Sequence, residues 1–208
     1  MTLVVASASP RRKELLEALR LPFEIIPAAI DETALGDGLD PTDLVATLAQ
    51  AKATAREHGD AFVLAADTIV VLDDVVLGKP EDPASARSML SALRDRTHRV
   101  LTGVCLHAPA GDSTVVVESD VRMRAYRDEE IETYVDAGGG ADKAGAYGIQ
   151  DEPFRPVESI SGCWCNVMGL PLWTTHQLLF EAGLLPPRTP DRAYARCSAC
   201  PLRRGTPG

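Results

Sequence analysis

The first candidate for a chemical site is the turn Ser7-Ala8-Ser9-Pro10-Arg11-Arg12, near the start of the 208-residue chain. Its two hydroxyl and two guanidinium groups lie where a short apolar strand ends and a predicted helix, with leucines at helical spacing, begins. Unpaired backbone N–H groups at a helix start attract anions, and arginine side chains match phosphate oxygens. The turn therefore predicts an anion pocket, although a capped helix with solvated arginines would use the same residues.

Four charged residues on separate segments form the second candidate: Glu32, Lys52, Asp67 and Lys79. Each could be an ordinary solvated surface group. Asp67 differs from the others because apolar residues flank it on both sides. A carboxylate is costly to bury there unless it binds a cation or a positioned water molecule. Asp67 is thus the acidic residue that the sequence singles out.

Together these two candidates have the groups that hydrolysis of a phosphoanhydride needs. That reaction requires cations to offset the charge of the phosphates, a divalent metal to bridge their oxygens, and a carboxylate to orient and deprotonate water. A metal site made only of oxygen atoms suits Mg²⁺ or Mn²⁺ better than softer metals. The sequence therefore indicates a nucleotide or another polyphosphate as the ligand.

The third candidate is the string Asp142-Lys143-Ala144-Gly145-Ala146-Tyr147-Gly148-Ile149-Gln150. Its glycines permit close approach of the backbone, and the amide of Gln150 could read the edge of a base. The same string could equally be a glycine-containing turn between strands. Residues 162–166 and 167–171 are interpreted as a structural strand and turn.

The cysteines give a weaker signal. The pairs Cys163-x-Cys165 and Cys197-x-x-Cys200 could in principle hold zinc, but this spacing alone is weak evidence. An odd count of cysteines without a visible secretory signal favours reduced thiols over a disulfide framework. We assign the cysteines no role at this point.

Helical and strand patterns alternate along the chain and predict an α/β fold built on a mixed sheet. Asp67 is expected where the strand at residues 62–66 meets the next element. A helix from residue 41 is expected to stop at Gly59. Residues 1–185 are predicted to form one domain, and residues 186–208, which are rich in Pro, Arg, Cys and Gly, a flexible tail. The predicted strands cover residues 3–6, 23–27, 62–66, 69–72, 75–77, 100–106 and 114–125, and the predicted helices begin near residues 10, 41, 82, 128 and 172.

Composition excludes several partners. The net charge of −9 argues against nucleic acid, because binding to a phosphate backbone depends on basic surfaces. No apolar window is long enough to span a bilayer, and no signal peptide is visible, so we expect a cytoplasmic location without membrane contact.

The motifs place the chain close to a known family. Over residues 3–185 it resembles the Maf proteins, which are nucleotide pyrophosphatases. The resemblance implies hydrolysis of a nucleoside triphosphate between its α- and β-phosphates with a divalent cation. It also implies an α/β fold similar to that of inosine triphosphate pyrophosphatases, with a mixed twisted sheet, flanking helices and a cleft between two lobes. The markers are Ser7-Ala8-Ser9-Pro10-Arg11-Arg12, Asp31-Glu32-Thr33, Ala66-Asp67-Thr68, Gly78-Lys79-Pro80, Thr97-His98, Thr102-Gly103-Val104, the string 142–150 and Met168-Gly169-Leu170-Pro171.

The resemblance also implies a role for each matching residue. Asp67 would accept a proton and, with Glu32, hold the metal. Phosphate and metal would be bound by Ser7, Arg12, Glu32, Lys52 and Lys79, and the positions that select the base would be Arg11, Thr68 and Gln150.

The string at 142–150 is similar to that of the branch acting on dTTP and UTP, and we expect these substrates. The open alternatives are a modified nucleotide such as 7-methyl-GTP, and a nucleotide-binding regulator of cell division and septum formation with little turnover. A homodimer is expected from the family alone.

Overall fold

A computed structural model describes residues 2–32, 35–36, 38–55, 59 and 61–203. Within these residues the chain forms a seven-stranded mixed sheet with helices on both faces, so the predicted α/β fold is confirmed. Thr33, the last residue of the Asp31-Glu32-Thr33 marker, lies outside the described residues. Among the described residues, no helix combines the length and the apolar character that crossing a membrane would require.

The central sheet has the strand order β2-β1-β3-β5-β6-β7, and β4 also pairs with β3. Strand β1 is parallel to both β2 and β3, whereas the other pairs are antiparallel. The strands are β1 (Leu3–Val5), β2 (Glu24–Ile25), β3 (Phe62–Leu72), β4 (Val75–Leu77), β5 (Thr97–Ala108), β6 (Gly111–Met123) and β7 (Val157–Ser161).

Strand β3 corrects the sequence prediction for Asp67. The expected break after residue 66 is wrong, because β3 runs without interruption from Phe62 to Leu72 and Asp67 lies at its middle. The polar side chains of Asp67 and Thr68 suggested a boundary, but backbone hydrogen bonds continue a strand whatever its side chains are. One edge of β3 pairs with β1 at residues 62–64 and with β4 at residues 70–72. Between these pairings, no described strand covers that edge, and Asp67 lies in the gap.

The helices begin at well-defined caps. Ser9 caps α1 through its hydroxyl group, which accepts from the backbone N–H of Arg12 at 3.5 Å, and Pro10 is the first helical residue, as predicted. Asp40 caps α2 in the same way, but α2 ends at Thr54, before the expected stop at Gly59. The helices are α1 (Pro10–Ala18), α2 (Pro41–Thr54), α3 (Pro83–Leu93), α4 (Asp128–Asp136), α5 (Trp164–Val167), α6 (Leu172–Glu181) and α7 (Pro190–Ala193).

Helix α2 lies on one face of the sheet, above β3 and β5. Gly103 of β5 makes this approach possible, because a Cβ atom at that position would lie 2.4 Å from the carbonyl oxygen of Val45 and 3.2 Å from Cβ of Ala49. Lys52 follows Ala49 by one helical turn. The close contact at Gly103 therefore brings Lys52 over the part of the sheet that carries Asp67.

The opposite face of the sheet carries two core clusters. The first packs α1, α6 and the C-terminal segment against β1 and β3, with Leu15, Leu16 and Leu179 fully buried. The second packs α3 and α4 against β5 and β6, with Leu90 and Tyr126 at its centre. The cleft described below is lined by residues from both clusters.

The C-terminal segment, which was predicted to be a flexible tail, contains secondary structure in its described residues. Residues 190–203 include α7 and a 3-10 helix at Ala195–Ala199, and the buried Cys197 and Cys200 belong to the first core cluster. Residues 204–208 lie outside the described part of the chain. The structural strand and turn expected around residues 162–166 is likewise corrected, because α5 occupies Trp164–Val167. The domain boundary at residue 185 stays a prediction.

Candidate active site

All nine residues that the sequence analysis assigned to the site line one cleft of about 1030 Å³. They come from the first turn, a loop, helix α2, strand β3, the segment after β4 and the string at 142–150. Residues up to 143 positions apart along the chain are therefore brought together by the fold. The nine are Ser7, Arg11, Arg12, Glu32, Lys52, Asp67, Thr68, Lys79 and Gln150.

Lys52 joins the two carboxylates of the cleft. Its ammonium group lies 2.9 Å from Oε1 of Glu32 and donates a hydrogen bond to Oδ1 of Asp67. The side chains of Lys52 and Asp67 are each only 12% exposed, whereas that of Glu32 is 54% exposed. Asp67 is thus a buried carboxylate with a cation beside it.

Arg12 is held by three neighbours from distant parts of the chain. Its Nε donates to the carbonyl oxygen of Gly169 at 2.8 Å, one terminal nitrogen donates to Oγ of Ser7 at 3.2 Å, and the other donates to Oγ1 of Thr68 at 3.1 Å. The hydroxyl of Thr68 also shares a hydrogen bond of 3.0 Å with that of Thr102. These contacts fix the plane of the guanidinium group and leave part of its five N–H groups for a ligand.

Burial lowers the pKa of Arg12, and the negative charge of Asp67 acts in the opposite direction. An arginine remains protonated at neutral pH despite such a shift. The cleft therefore holds a permanent positive charge close to the carboxylate of Asp67.

Arg11 is tied to the string at 142–150. It donates to Oδ2 of Asp142 at 3.1 Å, while Lys143 lies 2.8 Å from the other oxygen of the same carboxylate. Partial burial would raise the pKa of Asp142, but the hydrogen bonds from Lys143 and Arg11 lower it to about 2. Asp142 is therefore a carboxylate at neutral pH and fixes the direction of Arg11.

Lys79 has a different environment from the other basic residues of the cleft. It is exposed, and no hydrogen bond or ion pair joins it to another described residue. Its position follows from the neighbouring Gly78, whose carbonyl oxygen accepts from the N–H of Gly145 at 3.0 Å. Gly145 has φ of +69°, and a Cβ atom there would press on Val70 at 3.1 Å. Lys79 is thus a cation with its charge available to a ligand.

Tyr147 anchors the string at 142–150 from inside the protein. Its hydroxyl shares a hydrogen bond of 2.7 Å with Nε2 of His98, and both residues are buried. Burial raises the pKa of Tyr147 and lowers that of His98 to about 4. Gln150, at the end of this string, is exposed at the rim of the cleft. The anchored string thus supplies both the amide of Gln150 and the carboxylate that orients Arg11.

The charge of the cleft is opposite to that of the whole chain. The described residues that line it include five cationic and three acidic side chains, in a protein with net charge −9. A concave surface with excess positive charge attracts anions. The cationic residues are Arg11, Arg12, Lys52, Lys79 and Lys143, and the acidic ones are Glu32, Asp67 and Asp142.

A divalent cation fits the donor chemistry around Lys52. Glu32 and Asp67 offer carboxylate oxygens, the ligands that Mg²⁺ and Mn²⁺ prefer. Among the described residues, no group of three or more His, Cys, Asp or Glu side chains has the arrangement of a metal site. Two carboxylates with further oxygens from a bound phosphate are a common solution for Mg²⁺, which usually binds through few protein ligands.

Sequence reasoning missed the residues that position the site. Asp142 and Lys143 were part of the third candidate but received no role, and Gly169 was interpreted as a turn. The contact between Arg11 and Asp142 joins positions 131 residues apart, so no local spacing could have revealed it. The glycine at position 169 was itself a usable signal in the sequence. Its φ of +103° suits glycine, and a Cβ atom there would lie 3.5 Å from the side chain of Arg12.

Comparison with known proteins identifies the family of the chain. The chain matches the family model described as Maf-like protein over residues 2–182. It is 48% identical to a dTTP/UTP pyrophosphatase of Thermomicrobium roseum, over 97% of this chain and 94% of that protein. It is 49% identical to a dTTP/UTP pyrophosphatase of Moorella thermoacetica, over 88% and 95% of the two chains. A solved HAM1 protein of Coxiella burnetii aligns with 88% of this chain and 100% of its own at 19% identity, with a TM-score of 0.48. The chain belongs to the Maf-like protein family.

Proposed function

We propose that this protein hydrolyses nucleoside triphosphates, with dTTP and UTP as its substrates, to the monophosphate and pyrophosphate. The observation that carries the proposal is the pairing of buried Asp67 with Lys52 inside a cleft with excess positive charge. The names of the relatives, dTTP/UTP pyrophosphatase, supply the substrate. Such a cleft can hold a polyphosphate beside a carboxylate able to accept a proton.

The phosphate chain is bound from two sides of the cleft. On one side, the turn before α1 offers the hydroxyl of Ser7 and the remaining N–H groups of Arg12. On the other side, Lys79 extends an unpaired ammonium group into the cleft. Positive groups on both sides offset the charge of the triphosphate and fix its position relative to Asp67.

The hydrolytic step belongs to Asp67. A water molecule beside its carboxylate adds to the α-phosphorus atom and gives its proton to Asp67. The bridging oxygen then leaves with the electron pair of the broken bond as part of pyrophosphate. Lys52 holds the carboxylate of Asp67 in position through its hydrogen bond to Oδ1.

Glu32 and Asp67 are the residues that would hold a divalent cation, Mg²⁺ or Mn²⁺. The cation, when bound, offsets the negative charge of the phosphate oxygens. Lys52 already lies between the two carboxylates, so it must share them with an incoming cation. We expect the ammonium group to shift toward the phosphates, which its flexible side chain permits.

Base selection involves the rim of the cleft. Arg11, oriented by Asp142, and Gln150 come from different parts of the chain and line the same cleft. An arginine and an amide can together donate to and accept from a pyrimidine edge. Thr68 is engaged by Arg12 and Thr102, so its influence on the base acts through the position of Arg12. Location in the cytoplasm and a homodimer remain predictions.

The test is a turnover panel with purified protein and Mg²⁺ or Mn²⁺. We expect pyrophosphate release from dTTP and UTP and less from CTP, ITP and 7-methyl-GTP. The panel also includes 5-methyl-UTP as a modified pyrimidine. Binding of dTTP and UTP without pyrophosphate release would reject the enzyme and favour the regulator of cell division. Preference for 7-methyl-GTP would keep the chemistry and reject the pyrimidine assignment.

A further inference from the structure

Four of the five cysteines meet outside the cleft, where the C-terminal segment packs against α5. All four are buried, and Sγ of Cys165 lies 3.5 Å from Sγ of Cys197. Two of them belong to the segment before residue 167 and two to the segment after residue 196. We call this group the cysteine cluster; its members are Cys163, Cys165, Cys197 and Cys200.

The thiols of the cysteine cluster contact one another in sequence. Sγ of Cys165 contacts Sγ of Cys197, and the side chains of Cys165 and Cys200 both interact with that of Cys163. Four thiols in mutual contact supply the number of ligands that a closed structural zinc site uses.

Backbone hydrogen bonds form a tight turn at each pair of cysteines. The N–H of Asn166 donates to the carbonyl oxygen of Cys163 at 3.1 Å, and the N–H of Cys200 donates to the carbonyl oxygen of Cys197 at 3.3 Å. These turns fix the backbone that carries each pair.

The backbone around the cluster is fixed by other contacts. Nε1 of Trp173 donates to the carbonyl oxygen of Cys197 at 3.0 Å. The guanidinium of Arg196 lies 3.6 Å from the centre of the Trp164 ring, and the hydroxyl of Tyr194 contacts the sulfur of Met168 at 3.5 Å. The two pairs of cysteines are thus held together by packing and without a disulfide bond.

One distance within the cysteine cluster already suits a zinc site. Zinc bound by four thiolates at about 2.3 Å places the sulfurs about 3.8 Å apart, close to the 3.5 Å between Cys165 and Cys197. In the described part of the chain, no three such side chains yet surround a common centre. Rotation of a cysteine about its Cα–Cβ bond moves the sulfur by roughly 3 Å, and we expect such rotations to complete the arrangement when zinc binds.

We propose that the cysteine cluster binds one structural zinc ion. Zinc binding would replace the thiol protons and join α5 to the C-terminal segment. Cys197 and Cys200 lie beyond residue 182, where the match to the Maf-like model ends. The site is therefore an addition to the family domain. It lies next to the turn that carries Gly169, the partner of Arg12, and it does not depend on the proposed substrate.

The first experiment measures zinc in protein purified with a reductant and added zinc. We expect one zinc ion per chain by mass spectrometry of the metal, and its release when a mercurial blocks the thiols. Cys197→Ser and Cys200→Ser should each weaken zinc binding by more than about 100-fold. Loss of a residue that only hydrogen-bonds to a metal ligand weakens binding by about 10–100-fold, so a larger effect indicates loss of a ligand. Cys105→Ser is the matched control, because Cys105 is also buried but lies on β5 away from the cluster. It should retain the zinc.

A second measurement uses the unaltered chain, so it does not depend on folding of the variants. Co²⁺ added to the metal-free protein should give the intense visible absorption of a tetrahedral thiolate site, and zinc should abolish it. Absence of both zinc and the Co²⁺ spectrum in folded protein would reject the proposal. So would peptide mapping without reduction that finds the four cysteines paired as disulfides, or equal zinc content in the wild type and the Cys197→Ser variant.

Discussion

Asp67 of β3 is the register partner of Gly103 of β5, and the helix that carries Lys52 packs directly over that glycine. The carboxylate and the glycine therefore belong to one arrangement. Gly103 lets α2 approach the sheet, and that approach lets Lys52 reach Asp67. A residue with no functional group thus determines the geometry of the two charged groups that carry the proposed chemistry.

Replacing Gly103 by Ala should disturb both stability and activity. The added Cβ atom would lie 2.4 Å from the carbonyl oxygen of Val45, so α2 must move away. We expect a loss of roughly 1–3 kcal/mol in the free energy of unfolding, as for other overpacked sites. Turnover should also fall, because Lys52 moves with α2. Denaturant unfolding and steady-state kinetics measure the two effects. Gly78→Ala, where nothing lies within 4 Å of the new atom, should unfold like the wild type.

Asp67→Asn should remove most of the turnover while keeping the fold. The amide can accept a hydrogen bond from Lys52 but cannot accept a proton from water, so we expect kcat to fall by about 10²–10⁴-fold. The affinity for dTTP, measured by calorimetry, should change far less. Asp120→Asn is the control, since Asp120 is an exposed carboxylate of β6 outside the cleft. Full turnover by the Asp67→Asn variant would remove Asp67 as the base and leave the substrate assignment intact.

Arg12→Lys should cost stability even before a substrate binds. Lysine cannot make the three directed hydrogen bonds to Gly169, Ser7 and Thr68. We expect a loss of roughly 1.5–3 kcal/mol in the free energy of unfolding, the range for hydrogen bonds to charged groups, together with a higher KM for dTTP. Arg20→Lys, at an exposed position after α1, should change neither quantity. Unchanged unfolding of Arg12→Lys would show that the three contacts do not stabilise the free protein.

His98 should make the protein less stable as the pH falls. Its pKa is about 4 in the folded protein and near 6.5 when unfolded, so the unfolded chain binds a proton that the folded chain excludes. The contribution of neutral, buried His98 to the free energy of unfolding is fully present above pH 6.5 and is lost progressively as the pH falls toward 4. Between pH 7 and pH 5 the loss should be about 2 kcal/mol.

The measurement is urea unfolding at pH 7 and pH 5 for the wild type and His98→Gln. The glutamine cannot take up a proton, so this part of the pH dependence should disappear, whatever the variant's stability at pH 7. His107→Gln, on the partly exposed end of β5, controls for the substitution and should keep the dependence. An equal pH dependence in wild type and His98→Gln would contradict the assignment.

The sequence alone determined which residue types form the site and which family the chain belongs to. The turn at residues 7–12, the buried setting of Asp67 and the string at 142–150 are local patterns, and local patterns are readable because caps, apolar runs and glycines act over a few residues. The same reasoning placed a break at Asp67, because the sequence does not show that β5 pairs with β3 through that residue.

Only the tertiary structure decided how these residues work together. It joined Lys52 to both carboxylates, turned Arg12 toward Gly169, and tied Arg11 to Asp142 across 131 positions. It also packed the expected flexible tail against α5 and collected four cysteines that the sequence left as two weak pairs. Such contacts arise when apolar surfaces from distant segments are buried together, and the spacing of residues along a chain does not encode which distant segments meet.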